Sequence, residues 1–518
     1  MINFDLIIIG GGINACGMAR DASLRGLKVA VVEKNDLACA ASGYNSQMIH
    51  GGVRYLLGDM KTTRLACLDS GYIQKIAPFL LFRIPFLFPV LGNPKSLSKK
   101  LYLELLETFF EAYDHYAPLK NGKKHCRFSA QELLQLEPGL NPGLVGGISF
   151  DEWGIDAPRL TVLNAKDAQE HGAQIFTHTK VVDLLKKENQ ILGVKVKEQS
   201  TGKTQELFSK IVFNVAGPWI PSIAKSAGVE VKLRPAKGIH LLLDRQIIHS
   251  AVMSKAIDGR SIFMMPYQNS TILGTTDDDY FGDPDLLEAT QDEVEYLLEG
   301  IESIYPSIRQ HKIIDTWAAL RPTLYERGKY EDDLTREYEI FDHEKRDGLK
   351  GFLTIAGGKL ASYRIMSEEA IDAVCKKLNL QTKCSSHLKP LPGAETELDV
   401  EDLAKEKNIP LLAAARLYYR HGNRAEQVSK LFPSQKIICE CDPVLEAEIR
   451  YAIREEWAKN FEDVARRTRW SLGPCQGQLC LQAGARVIGE ELGWSESETQ
   501  LALEEYVKLR KKKMRWVN

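Results

Sequence analysis

The chain has 518 residues and a mass of 58.2 kDa, a length that predicts two to four domains and excludes a lone small module. Lysine and arginine number 67 and aspartate and glutamate 69, so the net charge of -2 lacks the basic excess of a nucleic-acid-binding protein. Hydrophobic residues make up 44% and charged residues 26%, which excludes a disordered chain and a multi-span membrane protein. We therefore expect an enzyme that is soluble or bound to a membrane surface.

The amino end and the cysteine content predict the compartment. The apolar run at residues 6–9 is short and leads directly into glycines, unlike the hydrophobic core and cleavage site of a signal peptide. Ten cysteines in a chain of this length are too sparse for a disulfide scaffold. Both features predict a reducing, cytoplasmic location.

Residues 4–33 have the pattern of a strand, a glycine turn, a helix and a second strand. In such a unit Gly10 permits the tight turn, and Gly12 lets the backbone approach a pyrophosphate at the start of the helix. Ala15 takes the third glycine position, which serves helix packing, and Glu33 is spaced to bind an adenosine ribose. The spacing predicts a dinucleotide site, with a ligand-free glycine turn as the alternative, and does not separate NAD from FAD.

The continuation favours FAD. Residues 36–56 are small and polar and follow the second strand directly, where a plain nicotinamide domain would continue into a helix. Such a segment allows an extended flavin to lie along the backbone.

Seven separated motifs carry a resemblance to a known family. They are IIIGGGINACG at the start, IHGGVRYL at 49–56, NVAGPW at 214–219, PAKGIH at 235–240, ILGTTD at 272–277, WAALRP at 317–322 and AGGKLASYR at 356–364. In this order the chain resembles FAD-dependent glycerol-3-phosphate dehydrogenases, members of the D-amino-acid oxidase superfamily, over nearly its whole length.

The resemblance implies a reaction in glycerol metabolism. The protein would oxidise sn-glycerol 3-phosphate to dihydroxyacetone phosphate by hydride transfer to FAD, and its electrons would pass to a quinone or to partner electron-transfer subunits. Two alternatives are an oxidase that passes electrons to oxygen and makes peroxide, and a non-catalytic flavin and iron-sulfur electron-transfer subunit.

The resemblance also implies an α/β fold with two interleaved domains and an α-helical extension at the carboxyl end. A discontinuous, Rossmann-like FAD-binding domain (about 1–60, 155–235 and 325–388) would alternate with an inserted α+β substrate domain (about 61–154 and 236–324). A proline and glycine cluster at 390–393 marks the end of this body. The rest divides into a helical linker (389–435), a cysteine-rich module (436–490) and a helical basic tail (491–518).

The segment Gly357-Gly358-Lys359-Leu360 lies between an apolar run and a helical pattern. The positive end of that helix would face the flavin pyrimidine edge and favour negative charge there. Lys359 would add a full charge, unless it is a solvated residue of the helix start. The cofactor contacts predicted along the chain are Gly10, Gly12, Ala15, Glu33, Ser42, Ser46, Gln47, Gly217, Gly357, Gly358, Lys359 and Leu360.

Substrate recognition requires cations for the phosphate and a group that accepts the hydroxyl proton. Arg321 lies in an apolar context and suits bidentate phosphate binding, with a buried salt bridge as the alternative. The resemblance associates Arg321, Arg54 and Tyr55 with the substrate phosphate.

His50 and His240 are the candidate proton acceptors, although a structural role is the alternative for each. Thr275 and Thr276 would hydrogen-bond the glycerol hydroxyls or shape a turn. Two departures from the family pattern affect fine specificity: Asn45-Ser46-Gln47 replaces a Ser-Ser-Lys segment, and Thr323 follows the Arg-Pro pair.

A membrane surface is a further candidate partner. Residues 76–91 are strongly apolar but contain three prolines and Arg83, which excludes a transmembrane helix, and residues 95–116 predict an amphipathic helix. Together they fit ordinary core packing, which we favour slightly, with peripheral contact with the inner membrane face as the alternative. The basic tail, residues 508–515, would touch anionic lipid or a partner, or remain solvated.

Four cysteines near the carboxyl end form two close pairs. Cys439 and Cys441 form C-x-C, and Cys475 and Cys480 form C-x4-C. Four thiolates in this arrangement suit a 2Fe-2S cluster or zinc, and four unliganded thiols are the alternative. The spacing resembles the bacterioferritin-associated-ferredoxin-like module of the anaerobic-type catalytic subunit, which implies a 2Fe-2S cluster. Arg466, Arg467 and Arg469 would offset the cluster's negative charge or form a solvated helix face.

Overall fold

The structure is a computed structural model that describes residues 3–53, 56, 59–328, 337–431 and 435–517. The predicted phosphate-binding pair Arg54 and Tyr55 lies outside the described residues. Secondary-structure elements are numbered in chain order below.

The strands are β1 Asn3–Ile9, β2 Val29–Val32, β3 Leu81–Leu91, β4 Cys126–Ser129, β5 Leu144–Ile155, β6 Gln174–Phe176, β7 Thr179–Lys187, β8 Gln190–Glu198, β9 Thr204–Asn214, β10 Ala236–Leu243, β11 Ala251–Lys255, β12 Ser261–Tyr267, β13 Ser270–Gly274, β14 Asp278–Asp279, β15 Ile313–Arg321, β16 Tyr338–Asp342, β17 Phe352–Gly357, β18 Ile437–Cys439 and β19 Val444–Leu445. The helices are α1 Ile13–Leu24, α2 Met60–Ile76, α3 Leu97–Asp114, α4 Ala130–Leu136, α5 Ala157–Glu170, α6 Ile220–Ala227, α7 Gln291–Glu302, α8 His343–Asp347, α9 Tyr363–Lys377, α10 Val400–Lys407, α11 Leu411–His421, α12 Ala425–Leu431, α13 Glu446–Glu455, α14 Phe461–Thr468, α15 Leu481–Leu492 and α16 Glu496–Lys513.

The first sheet is eight-stranded and has β1 at its centre. Its main order is β16-β17-β9-β1-β2-β6, with β7 and β8 continuing from β9. β1 pairs in parallel with β2 and β9, and its residues from Leu6 onward are buried, as expected for a strand covered on both faces. Helices α1 and α9 cover one face, where Ala19, Met366 and Ile371 share a core with the strands.

The second sheet is nine-stranded and mostly antiparallel. Its order is β14-β10-β13-β12-β11-β3-β5-β4, with β15 also paired to β10. The apolar stretch at 76–91 enters this sheet as β3, paired along its length with β5, so core packing accounts for it. Residues 95–116 form α3, whose Leu103, Leu106 and Phe110 pack against this sheet.

Helices α10 to α16 form the carboxyl-terminal region, with the short pair β18 and β19 among them. Their core includes Trp470, Ile488 and Tyr506. In the described part of the chain, no helix is long and apolar enough to cross a bilayer.

Candidate active site and thiol cluster

A cavity of about 890 Å³ lies between the two sheets and is lined by residues from both. Every predicted cofactor residue except Gln47 lines this cavity. His50, Thr275, Arg321 and Lys359 line it as well. The cavity therefore brings together motifs that are more than 300 residues apart in the chain.

The glycine turn after β1 forms one end of the cavity and fits a dinucleotide. Gly10 has a φ of 121°, and a Cβ there would lie 2.6 Å from the carbonyl oxygen of Val215. The hydroxyl of Ser42 accepts a hydrogen bond from the Ile13 amide at 2.9 Å, which fixes the segment after β2 against the start of α1. Glu33 is 9% exposed, and burial raises the pKa of its carboxyl despite the Asn35 amide that donates to it. The backbone thus leaves the room that the dinucleotide motif requires.

The side chain of Gln47 is held by the protein backbone instead. Its Nε2 donates to the carbonyl of Gly43 at 2.8 Å, and its Oε1 accepts from the amide of Ala157 at 3.0 Å. Gln47 lies outside the cavity lining, so its role in the structure is to fix the segment that carries Ser46. A glutamine in place of the family's lysine is consistent with this use.

The segment from Gly357 to Leu360 forms the opposite wall. Gly357 and Gly358 have φ values of 85° and 80°, and a Cβ on Gly357 would lie 2.3 Å from the carbonyl oxygen of Glu337. A short 3-10 turn at Leu360–Ser362 leads into α9. The start of a fifteen-residue helix therefore lies directly after the residues that line the cavity, and its positive end favours an anion there.

Arg321 forms an ion pair at the cavity wall. Its Nη1 donates to Oδ1 of Asp277 at 2.9 Å, and its Nη2 donates to the hydroxyl of Thr275 at 3.0 Å. Its side chain remains 31% exposed, so the ion pair and access to the cavity coexist. Gly238 makes room for the guanidinium, because a Cβ there would lie 2.3 Å from Nη2.

Thr276, in contrast, lies outside the cavity lining and is 1% exposed. Its hydroxyl accepts from the amide of Ile239 at 3.0 Å and faces the carbonyl of Lys237 at 3.4 Å. The structure thus places Thr275 at the cavity and gives Thr276 a role in joining neighbouring strands.

The two candidate histidines differ in position. His50 lines the cavity, and the amide of Gly52 donates to its Nδ1 at 3.1 Å. His240 lies behind the wall: its Nε2 is 2.9 Å from the hydroxyl of Ser46, and its ring stacks on Trp317. Burial, followed by the charge of Arg321, lowers the pKa of His240 to about 3. His240 is therefore neutral at physiological pH and supports Ser46 from behind.

Glu152 is a lining residue that the sequence motifs do not mark. It is a carboxylate on β5 and is only 2% exposed. Its neighbours in the chain, Asp151 and Trp153, belong to none of the seven sequence motifs, so no motif marks it. The importance of such a buried carboxylate can be recognised only from its contacts with residues of other segments, which the sequence does not show.

The four carboxyl-terminal cysteines converge on one another. The Sγ atoms of Cys439 and Cys441 are 3.8 Å apart, and those of Cys441 and Cys475 are 3.3 Å apart. A hydrogen bond with Cys480, together with burial, raises the pKa of Cys439, and the same bond lowers the pKa of Cys480. Tetrahedral sulfur ligation with metal-sulfur bonds of about 2.3 Å requires sulfur atoms about 3.8 Å apart. The separation of Cys439 and Cys441 meets this requirement and that of Cys441 and Cys475 is shorter, but no three sulfur atoms of these four residues, which we call the thiol cluster, lie within 4.8 Å of one another.

The arginines after the first cysteine pair have other partners than expected. Arg466 and Arg467 bind Asp36 in the first sheet's domain, Arg467 at 2.6 and 2.7 Å, so the expectation that they offset the charge of the thiol cluster or form a solvated face is wrong. Arg469 does lie beside the cluster. It donates to Asp442, which follows Cys441, at 2.7 Å and to the hydroxyl of Tyr267 at 2.9 Å.

The basic tail packs on the protein. Lys512 and Arg515 both pair with Glu288 at 2.6 Å, and Arg510 donates to the carbonyl of Ser471 at 2.7 Å. The tail thus joins Glu288, just before α7, to the loop that precedes Cys475.

Comparison with known proteins agrees with this geometry. The profile of the family described as FAD dependent oxidoreductase matches residues 5–364, and that of the C-terminal domain of alpha-glycerophosphate oxidase matches residues 384–499. An anaerobic glycerol-3-phosphate dehydrogenase subunit of Haemophilus influenzae is 32% identical over 510 residues, covering 97% of this chain and 88% of that protein. Its counterpart in Escherichia coli K12 is 33% identical over 492 residues, covering 93% and 88%.

An aerobic relative and a solved structure extend the comparison. The aerobic glycerol-3-phosphate dehydrogenase of Staphylococcus haemolyticus is 32% identical over 481 residues, covering 88% of this chain and 84% of that protein. The structure of the Bacillus halodurans glycerol-3-phosphate dehydrogenase complexed with FAD superposes with a TM-score of 0.76 at 25% identity, covering 99% and 95% of the two chains. The predicted α/β fold with a helical carboxyl-terminal domain is confirmed. The chain belongs to the family of FAD-dependent glycerol-3-phosphate dehydrogenases.

Proposed function

We propose that the protein oxidises sn-glycerol 3-phosphate to dihydroxyacetone phosphate with FAD as the hydride acceptor. The observation that carries the proposal is the cavity itself, where the dinucleotide motif after β1, Arg321 and the start of α9 face the same space. Bound FAD would supply the two-electron acceptor. Gly10, Gly12, Glu33 and Ser42 would hold its nucleotide, and the segment Gly357–Leu360 its ring end.

Arg321 is the cation that we assign to the substrate phosphate. Its pairing with Asp277 and Thr275 fixes the guanidinium, and its remaining exposure opens onto the cavity. A guanidinium with a fixed orientation binds phosphate oxygens through two donors with little further loss of entropy. Arg54 and Tyr55 are proposed as its companions on the strength of the family resemblance.

His50 is the proton acceptor that we favour over His240. It lines the cavity, whereas His240 is neutral, buried and hydrogen-bonded to Ser46. Because the Gly52 amide donates to Nδ1, the neutral ring of His50 carries its proton on Nε2. Nδ1 is then the basic atom, and it would exchange its hydrogen bond from Gly52 for the substrate hydroxyl proton. Lys359 and the start of α9 would favour the negative charge that the cofactor acquires.

The decisive experiment is an anaerobic titration of the purified holoenzyme. We expect sn-glycerol 3-phosphate to bleach the flavin absorbance with one equivalent per bound flavin, and the His50→Gln variant to bleach far more slowly than the His240→Gln variant. A bound flavin that the substrate does not bleach would overturn the proposal and favour the non-catalytic electron-transfer subunit. Equal rates in the two variants would overturn the assignment of the proton acceptor.

We also propose that the thiol cluster holds a 2Fe-2S centre. The C-x-C and C-x4-C pairs meet in the fold, with the sulfur atoms of Cys441 and Cys475 3.3 Å apart, and four cysteine thiolates are the ligands that hold a cluster of this type. Iron and sulfide assays with electron paramagnetic resonance after reduction test the centre. Zinc without iron would overturn it, and the Cys441→Ser variant should lose iron while the substrate still bleaches its flavin.

Electrons would leave through a quinone or a partner carrier near the thiol cluster. Cys441 and Cys475 are only half-buried, and Leu479, which precedes Cys480 in the chain, is 75% exposed, so an acceptor can approach the centre closely. Steady-state assays with a quinone analogue should show turnover in the wild-type holoenzyme. Oxygen uptake with stoichiometric peroxide would favour the oxidase alternative instead.

A peripheral membrane contact is proposed for one face of α3. Leu97, Leu101 and Leu105 are 81%, 59% and 63% exposed, and their four-residue spacing places them on one side of the helix, with exposed Lys100 at the margin of that side. We expect the holoenzyme to float with anionic vesicles and to lose this on replacement of Leu101 and Leu105 by serine. The same replacement at the exposed leucines 411 and 412 is the control. Unchanged flotation of the α3 variant would overturn the contact.

A further inference from the structure

The loop that carries His50 is held at several points by buried side chains. Cys67 Sγ and the Thr63 and Ser70 hydroxyls donate to the carbonyls of residues 51, 52 and 49 at 3.7, 3.3 and 3.1 Å. The amide of Gly51 donates to Oε2 of Glu152 at 2.9 Å. Because the backbone is held on both sides of His50, the imidazole can move only by rotation about the two side-chain torsions of that residue.

Glu152 is in turn part of a buried charged cluster. Its Oε1 accepts from the hydroxyl of Tyr113 at 2.7 Å and pairs with Nζ of Lys120 at 3.0 Å. Lys120 also donates to the Tyr113 hydroxyl at 3.0 Å and to the carbonyl of Asp151. All three side chains are 2% exposed, and burial together with the charge of Glu152 raises the pKa of Tyr113, so the phenol stays protonated.

Burying these charged and polar side chains costs desolvation free energy, which suggests that the cluster has a function other than stabilising the fold. Replacing a buried ion pair by apolar residues of similar volume is often neutral or stabilising, so such a pair is weak support for stability as such. Here the carboxylate uses one oxygen for the two side-chain partners and the other for the backbone next to His50. Gly51 has no room for a side chain, since a Cβ would lie 2.3 Å from the Tyr113 hydroxyl and 2.5 Å from the Cys67 sulfur.

We propose that Glu152, Tyr113 and Lys120 are positioning residues for His50, with Glu152 the member that joins the cluster to the loop. The inference deepens the proposed function and rests on the role given there to His50. Tyr113 comes from the end of α3 and Glu152 from β5, so the substrate-domain sheet fixes a catalytic group that lies in the segment following the nucleotide motif.

Single-turnover reduction of the flavin in the anaerobic holoenzyme tests this. We expect Tyr113→Phe and Glu152→Gln to lower the rate constant at saturating substrate by about 10- to 100-fold, because small misplacements of a catalytic group cost this much. Flavin content and the substrate dissociation constant should stay near those of the wild type. The Asp151→Asn variant is the matched control, since it removes the neighbouring carboxylate, which pairs with Arg83 instead.

The pH profile separates positioning from general damage. In Glu152→Gln the negative charge of Glu152 is lost while the positive charge of Lys120 remains near the loop. That positive charge disfavours protonation of His50 and so lowers its pKa. The acid limb of the rate profile should therefore move to lower pH in Glu152→Gln. Tyr113→Phe changes no charge and should lower the plateau without moving that limb. Among the residues that the structure describes, Lys359, Cys67, Tyr113 and Lys120 are further titratable groups close to this loop, and none is altered in Glu152→Gln.

Three outcomes would overturn the inference. They are wild-type rate constants in both variants, an equal loss in Asp151→Asn, and a loss in Tyr113→Phe that appears entirely as weaker substrate or flavin binding. Failure of the wild-type enzyme to be bleached by substrate would instead overturn the proposed function, so the two results are distinguishable. If Glu152→Gln does not retain flavin, Tyr113→Phe decides alone, because it keeps the ring and removes only the hydroxyl.

Discussion

The cavity and the thiol cluster are built by different kinds of contact. The cavity is lined by glycines at positions where a side chain would collide with a neighbouring segment, as at Gly10 and Gly357. The thiol cluster lies among side chains whose positions depend on buried ion pairs, such as Arg469 with Asp442 and Arg420 with Glu448. The first kind of site needs particular residues at fixed spacing, and the second needs partners from distant parts of the chain.

The two regions are in contact through a buried chain of residues. From the cavity wall, Ser46 leads to His240, whose ring stacks on Trp317, and Trp317 contacts Tyr267. Tyr267 accepts from Arg469, which binds Asp442 beside Cys441. Changes confined to one region therefore show whether the other depends on it.

The largest effect should follow from breaking the ion pair that joins the carboxyl-terminal region to the first sheet's domain. Arg467 is 1% exposed and binds both carboxylate oxygens of Asp36, so Arg467→Met removes two charge-assisted hydrogen bonds and leaves Arg466 as the remaining partner of this buried carboxylate. We expect the free energy of unfolding to fall by about 3–5 kcal/mol in chemical denaturation, since each hydrogen bond to a charged group contributes about 1.5–3 kcal/mol. Arg486→Met, at an exposed and loosely paired position, is the control. Equal stability of the two variants would contradict the central place given to this pair.

The next effect concerns the cavity alone. Arg321→Lys keeps the charge but loses the forked donors that contact Asp277 and Thr275. We expect the second-order rate constant of flavin reduction to fall about 10- to 100-fold, which corresponds to one or two charge-assisted hydrogen bonds. Iron content should be unchanged if the thiol cluster is independent of the cavity. Arg260→Lys, at another lining arginine that pairs with Asp258, is the control, and an equal loss there would contradict a specific role for Arg321.

The glycine motifs explain why the fold and most of the cavity were predictable from the sequence. A tight turn such as that at Gly10 tolerates no other residue, so the motif and its ligand-binding role can be read together. Arg321 was predictable for a similar reason, because its apolar context required a buried partner. The structure supplies both the partner, Asp277, and the opening to the cavity.

Other residues were not predictable because their roles depend on distant partners. Nothing near Glu152 in the chain indicates that Tyr113 and Lys120 meet it. Arg466 and Arg467 precede Cys475 by nine and eight residues, yet their partner Asp36 is some 430 residues away in the chain. Their position near Cys475 in the sequence suggested that these two arginines contact the thiol cluster. In the fold they bind Asp36, which follows β2 of the first sheet, instead.

Acid should affect the two regions in opposite directions. In the carboxyl-terminal region, burial alone would raise the pKa of Glu448, but the charge of Arg420 outweighs burial and lowers this pKa to about 2. Burial would likewise raise the pKa of Asp463, but the hydrogen bond from His178 and the charges of nearby arginines lower it to about 2. In the first sheet's domain, burial outweighs Arg364 and raises the pKa of Asp69 to about 6.

The signs follow from proton binding. A carboxyl with a lowered pKa stabilises the fold above its ordinary pKa near 4, and that stabilisation is lost as the pH falls towards 2. A carboxyl with a raised pKa destabilises the fold while ionised and does so less as the pH falls through 6 towards 4. The effect is at most about 1.4 kcal/mol per pH unit for each proton. Segment-resolved hydrogen exchange between pH 5 and pH 3 should show α13 and α14 losing protection before α1 and α9, and the reverse order would contradict this assignment.

The smallest effect is expected where the basic tail meets the substrate-domain side. Lys512 and Arg515 pair with Glu288 at 2.6 Å, but both side chains are about half exposed, so solvent and salt screen the attraction. We expect Glu288→Gln to lower the free energy of unfolding by less than about 1 kcal/mol and to leave the iron content and the flavin reduction rate unchanged. Arg510→Met should have a larger effect on the thiol cluster, since Arg510 is partly buried and holds the carbonyl of Ser471 before Cys475. If Glu288→Gln released iron as readily as Arg510→Met, the tail would position the thiol cluster through its exposed pairs, and the cluster would depend on surface charge more than on its buried contacts.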